Sequence, residues 1–95
     1  MQLPSYMPAQ FAAGTTVEYT KVLAEYSGDS GWTAKLYLAG PSATLEVAGT
    51  WLGSAWGFQI PADTTGAMTP GLHRWFERVT NGDVVRDADS GHVQV

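Results

Sequence analysis

The chain has 95 residues, a net charge of −4 and no cysteine. This length suits one domain, and without cysteine there is no disulfide, thiolate metal site or cysteine nucleophile. Nucleic-acid-binding domains usually carry a basic excess, so an acidic chain with five basic residues argues against that class. No apolar run approaches the roughly 20 residues of a membrane-spanning helix, and we expect neither a signal peptide nor a membrane partner.

Residues 1–13 are predicted to form an extended N-terminal arm ahead of a domain at 14–95. Pro4 and Pro8 disfavour a helix or a central strand in this segment. Beyond Met1, the segment nevertheless carries four large apolar side chains: Leu3, Tyr6, Met7 and Phe11. Two alternatives are open, because the segment either folds back on its own domain or lies on a neighbouring subunit. We expect these four side chains to bind a partner, since a small domain has little surface with which to cover them.

Short runs rich in β-branched and aromatic residues follow, separated by Gly, Pro and Asn turn signals, which predicts an all-β fold. In chain order the predicted strands are 15–23, 32–38, 43–47, 56–60, 72–80 and 83–95. Apolar and polar residues alternate in these runs, so each strand presents one apolar face. Two packed antiparallel sheets need that pattern. We therefore predict an immunoglobulin-like antiparallel β-sandwich of six to seven strands.

Asn81-Gly82 lies between the last two runs and is typical of a tight hairpin turn with both residues at its centre. That turn fixes the register of the hairpin and predicts the cross-strand pairs Thr80–Asp83, Glu77–Arg86 and Arg74–Asp89. Opposite charges then face each other, so the arginines are interpreted as hairpin contacts rather than as a nucleic-acid site. Glu77 falls on the apolar face, either near an open edge or buried against Arg86. A bulge is expected at Ser90-Gly91.

The sequence offers no constellation typical of catalysis. His73 and His92 would need a third ligand, such as Asp89, to hold a metal. The stretch from Asp87 to Gly91 lacks most of the carboxylates of a calcium loop. There is no nucleophile elbow and no phosphate-binding glycine loop. We expect no enzymatic activity, no cofactor and no metal.

Four tryptophans and four tyrosines support a second function class, a carbohydrate-binding module. Its stacking platforms would be Tyr37, Trp51 and Phe76, although aromatic residues also anchor protein interfaces. The other tryptophans fall on apolar faces and are assigned to the core. Trp51 follows Gly49 and precedes Gly53, so we expect it in a turn as an exposed anchor. Together with Phe76 it is predicted to bind a partner.

Four segments resemble small β-sandwich virion morphogenesis proteins of tailed bacteriophages and prophages: AAGTTVEYTKVLAEY, SGWTAKLYLAGP, WGFQIPADTTGAMTPGLHRWFERVTNGDVV and SGHVQV. The resemblance runs from about Leu3 to Val95. The chain departs from the family pattern at Thr15, His73 and Glu77, where an acidic residue, a tyrosine and a small residue are usual.

This resemblance implies a non-enzymatic structural protein of the virion, made in the cytoplasm of a bacterial host. It implies a head–tail connector or neck component that contacts portal, neck or major capsid proteins as a symmetric multi-copy assembly. A capsid decoration protein on the phage head is the alternative within the same class.

Overall fold

A computed structural model describes residues 4–40 and 44–95. In chain order its strands are β1 (Val17–Lys21), β2 (Thr33–Ala39), β3 (Thr44–Ala48), β4 (Thr50–Trp51), β5 (Trp56–Ile60), β6 (Leu72–Asn81) and β7 (Val84–Gln94). A 3-10 turn at Gly28–Ser30 lies between β1 and β2, and a short helix, α1 (Ala62–Gly66), lies between β5 and β6. The sequence did not indicate α1, because five residues are too few to show a helical period.

Two antiparallel sheets pack face to face, with strand orders β3-β2-β6-β7 and β1-β5-β4. The all-β sandwich predicted from the sequence is confirmed. Alternating residues of β2, β5 and β6 are buried, as the period of two requires. Tyr19 of β1 stacks on Phe58 of β5 with ring centroids 5.2 Å apart. The core residues with the smallest exposed fractions are Tyr19, Leu36, Leu38, Ile60, Val79 and Val93.

Gly49 closes one side of the sandwich by carrying the chain from β3 in one sheet to β4 in the other. Its N–H donates to the carbonyl oxygen of Ala34 at 2.8 Å. A Cβ at this position would lie 2.9 Å from the Phe58 ring and 3.0 Å from that carbonyl oxygen. Glycine therefore permits the close approach at which the chain changes sheets.

Residues 4–11, here called the N-terminal strap, close the opposite side. The N–H of Thr20 on β1 donates to the carbonyl of Pro4 at 2.8 Å. The N–H of Gln94 on β7 donates to the carbonyl of Ala9 at 3.0 Å, and Phe11 N–H donates to Gln94 at 3.0 Å. The strap thus joins β1 and β7, the edge strands of the two sheets. Of the two alternatives for this segment, the structure shows residues 4–13 folded back on their own domain.

The apolar side chains of the strap differ in their surroundings. Met7 is only 5% exposed and belongs to the core, and Phe11 packs against it half-buried. Tyr6 is 62% exposed. Leu3 lies outside the described residues. Met7 is therefore not presented to a partner as expected, because the gap between the two edge strands accommodates its side chain.

The β6–β7 hairpin forms, but in a different register from the predicted one. The observed pairs are Asn81–Val84, Thr80–Val85, Arg78–Asp87 and, beyond a bulge, Glu77–Asp89. The predicted pairs Thr80–Asp83, Glu77–Arg86 and Arg74–Asp89 are therefore wrong, and so is the bulge at Ser90-Gly91. The turn centres on Gly82 and Asp83, and only Gly82 has a positive φ, 59°, which is the pattern of a type II′ turn. Asn81 stays in β6, where its side-chain amide donates to the Ser30 carbonyl at 3.2 Å.

Candidate functional site

The outer face of the four-stranded sheet carries a pair of stacked aromatic rings. Tyr37 on β2 and Phe76 on β6 lie directly opposite each other in the register. Their ring centroids are 5.0 Å apart with an interplanar angle of 11°. Both residues are half-buried on the side of the strands that faces away from the core. The structure therefore places Phe76, one of the predicted partner-binding residues, on an accessible and rigid surface.

Arg78 extends this pair into an aromatic patch made of Tyr37, Phe76 and Arg78. Its guanidinium carbon lies 5.4 Å from the centre of the Tyr37 ring and 5.0 Å from that of Phe76. Its Nε donates to Oδ1 of Asp87 at 2.9 Å, and this hydrogen bond raises the pKa of Arg78. The guanidinium is thus held in place from two sides before any partner arrives.

The face around the aromatic patch is more basic than the rest of the chain. It carries three of the five basic residues, Lys35, Arg74 and Arg78, and only two of the nine acidic ones, Glu46 and Asp87. Lys35 pairs with Glu46 at 2.6 Å, and Arg78 pairs with Asp87. Arg74 is exposed and forms no ion pair with an acidic residue of the described ranges. The charge pattern favours an acidic partner surface.

Trp51 is half-buried rather than exposed as expected. Its indole contacts Trp56 at a ring distance of 5.2 Å, and its Nε1 donates to Oδ1 of Asp29 at 3.1 Å. The 3-10 turn lies against it so closely that a Cβ on Gly28 would be 2.4 Å from the ring. The turn therefore covers part of the Trp51 side chain, through a contact between distant segments that the sequence did not indicate.

The structure does not bring the predicted partner-binding residues together. Tyr6, Met7 and Phe11 belong to the N-terminal strap, and Trp51 lies in the three-stranded sheet. Phe76 alone lies on the outer face of the four-stranded sheet. The sequence places Arg78 on the same face as Phe76, because residues two apart on a strand share a face, but its predicted role is a hairpin contact and not part of a binding patch.

A second group of polar side chains extends from the interior of the sandwich to its edge, and it is called the buried polar cluster here: Tyr19, Lys21, Glu77 and Asp89. Asp89 forms its outer end, with a side chain that is 42% exposed. Glu77 is fully buried on β6. The Tyr19 hydroxyl donates to Glu77 Oε2 at 2.6 Å. Lys21 Nζ lies 3.7 Å from Glu77 Oε1 and 2.5 Å from Asp89 Oδ2. Glu77 therefore contacts β1 across the sandwich, whereas Arg86, its expected partner, is exposed.

Burial is the largest cause of the pKa shifts of Glu77 and Tyr19 in this cluster. It raises the pKa of Glu77 more than the Tyr19 hydrogen bond and the Lys21 charge lower it. Burial, followed by the nearby Glu77 charge, raises the pKa of Tyr19. The hydrogen bond from Lys21 lowers the pKa of Asp89. Among the described residues, none forms a hydrogen bond with Glu77 Oε1. The cluster therefore combines a buried carboxyl group, whose pKa is raised, with the ion pair of Lys21 and Asp89.

A cleft of about 450 Å³ opens between α1 and the β2–β3–β6 side of the sandwich. Its wall is largely apolar, with His73 and Asp63 among its polar residues. His73 is buried, and its Nε2 lies 2.7 Å from the Thr69 carbonyl oxygen. His92 lies on the opposite, outer face of the sheet, across from Arg74. The two histidines are therefore not brought together, and ranges 4–40 and 44–95 hold no group of three potential metal ligands.

No family model matches the chain, and no curated protein matches it. No helix within the described residues is long and apolar enough to cross a membrane.

Proposed function

We propose that the protein is a non-enzymatic structural component of a tailed-phage virion. Its role is that of a head–tail connector or neck component that contacts portal, neck or capsid proteins in many symmetric copies. Two observations support this proposal. The first is the resemblance of four sequence segments to phage morphogenesis proteins. The second, which carries the proposal structurally, is the aromatic patch on the outer face of the four-stranded sheet.

The aromatic patch has the composition of an interface anchor. Aromatic and arginine side chains dominate the binding energy of protein interfaces, and here Phe76 and Arg78 contact each other directly. Both side chains stand on paired strands, so little conformational freedom is lost when a partner binds. Arg74 lies beside them without an ion pair among the described residues and supplies charge for an acidic partner. Many symmetric copies make a weak single contact sufficient through avidity.

Quantitative mass spectrometry of purified particles tests the proposal. We expect the chain in a fixed, multi-copy ratio to the portal protein, and its position in the particle should appear by electron cryomicroscopy at the neck. A double substitution, Phe76→Ala with Arg74→Glu, should abolish incorporation. Gln59→Ala is the matched control, because Gln59 is exposed on the outer face of the other sheet. Absence from particles, or incorporation of the double variant at the wild-type level, would contradict the proposal.

Two alternative functions, capsid decoration and carbohydrate binding, can be distinguished with the same purified particles and protein. A capsid decoration protein would cover the head surface in the reconstruction instead of the neck. A carbohydrate-binding module would depend on Tyr37 and Phe76, since Trp51 is covered by the 3-10 turn. That module should bind ligands on a glycan array and lose them with Tyr37→Ala, whereas a structural protein should show no specific glycan binding.

A further inference from the structure

We infer that this domain forms an intramolecular isopeptide bond between Nζ of Lys21 and Cγ of Asp89, with Glu77 as the catalytic carboxyl group. The reaction is a condensation that releases one water molecule and leaves an amide bond between two strands. The inference rests on the buried polar cluster alone and is independent of the proposed virion role.

The two reacting groups are already in contact. Lys21 Nζ lies 2.5 Å from Asp89 Oδ2. Lys21 is held on β1 by its pairing with β5, and Asp89 is held on β7 by its pairing with β6. The Lys21 side chain is 16% exposed, and its ammonium group lies 5.7 Å from the centre of the Trp75 ring. Such positioning replaces a bimolecular encounter by an intramolecular one, which is worth several orders of magnitude in rate.

Glu77 is placed to move protons between the reacting groups. It is the cross-strand partner of Asp89, and its Oε1 lies 3.7 Å from Lys21 Nζ. Tyr19 holds the other carboxyl oxygen by a 2.6 Å hydrogen bond. One oxygen is thus fixed, and Oε1 has no hydrogen-bond partner within the described residues. A buried carboxyl oxygen that forms no hydrogen bond is costly and needs a reason, and proton transfer to or from the nearby Lys21 provides one.

The chemistry balances without any co-reactant. A proton moves from the Lys21 ammonium through Glu77 to the Asp89 carboxylate, which leaves a neutral amine and a neutral carboxylic acid. The amine nitrogen then attacks Cγ of Asp89 and forms the C–N bond of a tetrahedral intermediate. Glu77 accepts a proton from that nitrogen and donates one to the departing hydroxyl. The C–O bond breaks, water leaves, and Glu77 regains its starting protonation state.

The pKa shifts of Glu77 and Asp89 act on the rate of this reaction in opposite directions. Burial raises the pKa of Glu77, which is the direction that favours a carboxyl group able to donate as well as accept a proton. The hydrogen bond from Lys21 lowers the pKa of Asp89, so the neutral amine–acid pair is a minor form. We therefore expect a slow, single-turnover reaction that follows folding.

The bond would give the sandwich a covalent connection that its sequence otherwise lacks. The chain has no cysteine, and β1 and β7 belong to different sheets. On this side the described part of the chain joins the sheets only through the N-terminal strap and side chains. An amide between Lys21 and Asp89 would link the two sheets directly and resist their separation.

Intact-mass spectrometry of the folded wild-type protein tests the inference. We expect the mass to be lower than calculated by one water molecule. Tryptic digestion should give a branched peptide in which residues 1–35, uncut after Lys21, are joined to residues 87–95. Lys21→Arg keeps the cation but offers no amine for this bond, so its mass should equal the calculated one. Glu77→Gln keeps the shape of the side chain and should slow bond formation by about 100-fold or more.

Two results would overturn the inference. One is a folded wild-type chain that keeps its full calculated mass after prolonged incubation at mildly acidic and neutral pH. The other is a loss of water that persists in Lys21→Arg, because that loss would come from cyclisation elsewhere in the chain, such as an aspartyl succinimide. Circular dichroism of each variant shows whether the sandwich is folded, and the wild-type mass decides the question even where a variant does not fold.

Discussion

Replacing Met7 by alanine tests whether the N-terminal strap is part of the domain or an arm for a partner. Met7 is 5% exposed and lies in the core between the two edge strands. Truncating a buried methionine costs about 2–5 kcal/mol. The strap is held by few hydrogen bonds and can partly close the resulting space, so we expect a loss of about 2–3 kcal/mol in the free energy of unfolding. That is a large fraction of the stability of a small domain.

Tyr6→Ala is the matched control, because Tyr6 is the neighbouring residue and is 62% exposed. Its free energy of unfolding should change by no more than about 0.5 kcal/mol. Urea denaturation followed by tryptophan fluorescence measures both variants, and Met7→Ala should also lower the melting temperature by roughly 10–20 °C. If Met7→Ala is as stable as Tyr6→Ala, the strap contributes nothing to the fold. The segment would then be free to act as an arm on a neighbour.

Two further predictions concern the core. Burial raises the pKa of Glu77, so the folded chain binds a proton on Glu77 more tightly than the unfolded chain does. This proton binding stabilises the fold at a pH below the ordinary pKa of glutamate, and the stabilisation is lost as the pH rises through the raised pKa of the folded state. The test uses the Lys21→Arg variant, in which no amide can form. Adding Glu77→Gln should abolish the loss of unfolding free energy over that pH range, as measured by urea titrations. If the pH dependence stays the same, the prediction is wrong. Gly49→Ala should lower the free energy of unfolding by about 1–3 kcal/mol, because the added Cβ would lie 2.9 Å from the Phe58 ring. Gly66→Ala is the control and should change this free energy little, because its Cβ would lie 3.6 Å from the nearest atom.

The strands were predictable from the sequence because their signal is local. In β2, alternation alone placed Leu36 and Leu38 inward and Tyr37 outward, and the structure agrees. The register of the β6–β7 hairpin was not predictable in the same way. Moving the partner of Val79 from Val84 to Arg86 is a shift of two residues, which leaves the side chains between the turn and the bulge on the same faces. Periodicity cannot distinguish such registers, and only the turn geometry and tertiary contacts do.

The buried polar cluster depends on contacts between distant parts of the chain, yet part of it was visible in the sequence. In β1, alternation puts Lys21 on the same face as Val17 and Tyr19, which is the buried face. In β6 it puts Glu77 on the buried face as well. Two opposite charges that both point into a sandwich are more stable together than apart, since an unpaired buried charge is costly. The pairing of Lys21 with Glu77 was therefore open to prediction once both faces were assigned. The position of Asp89 was not, because it depends on the bulge at Ala88 that brings this acid opposite Glu77.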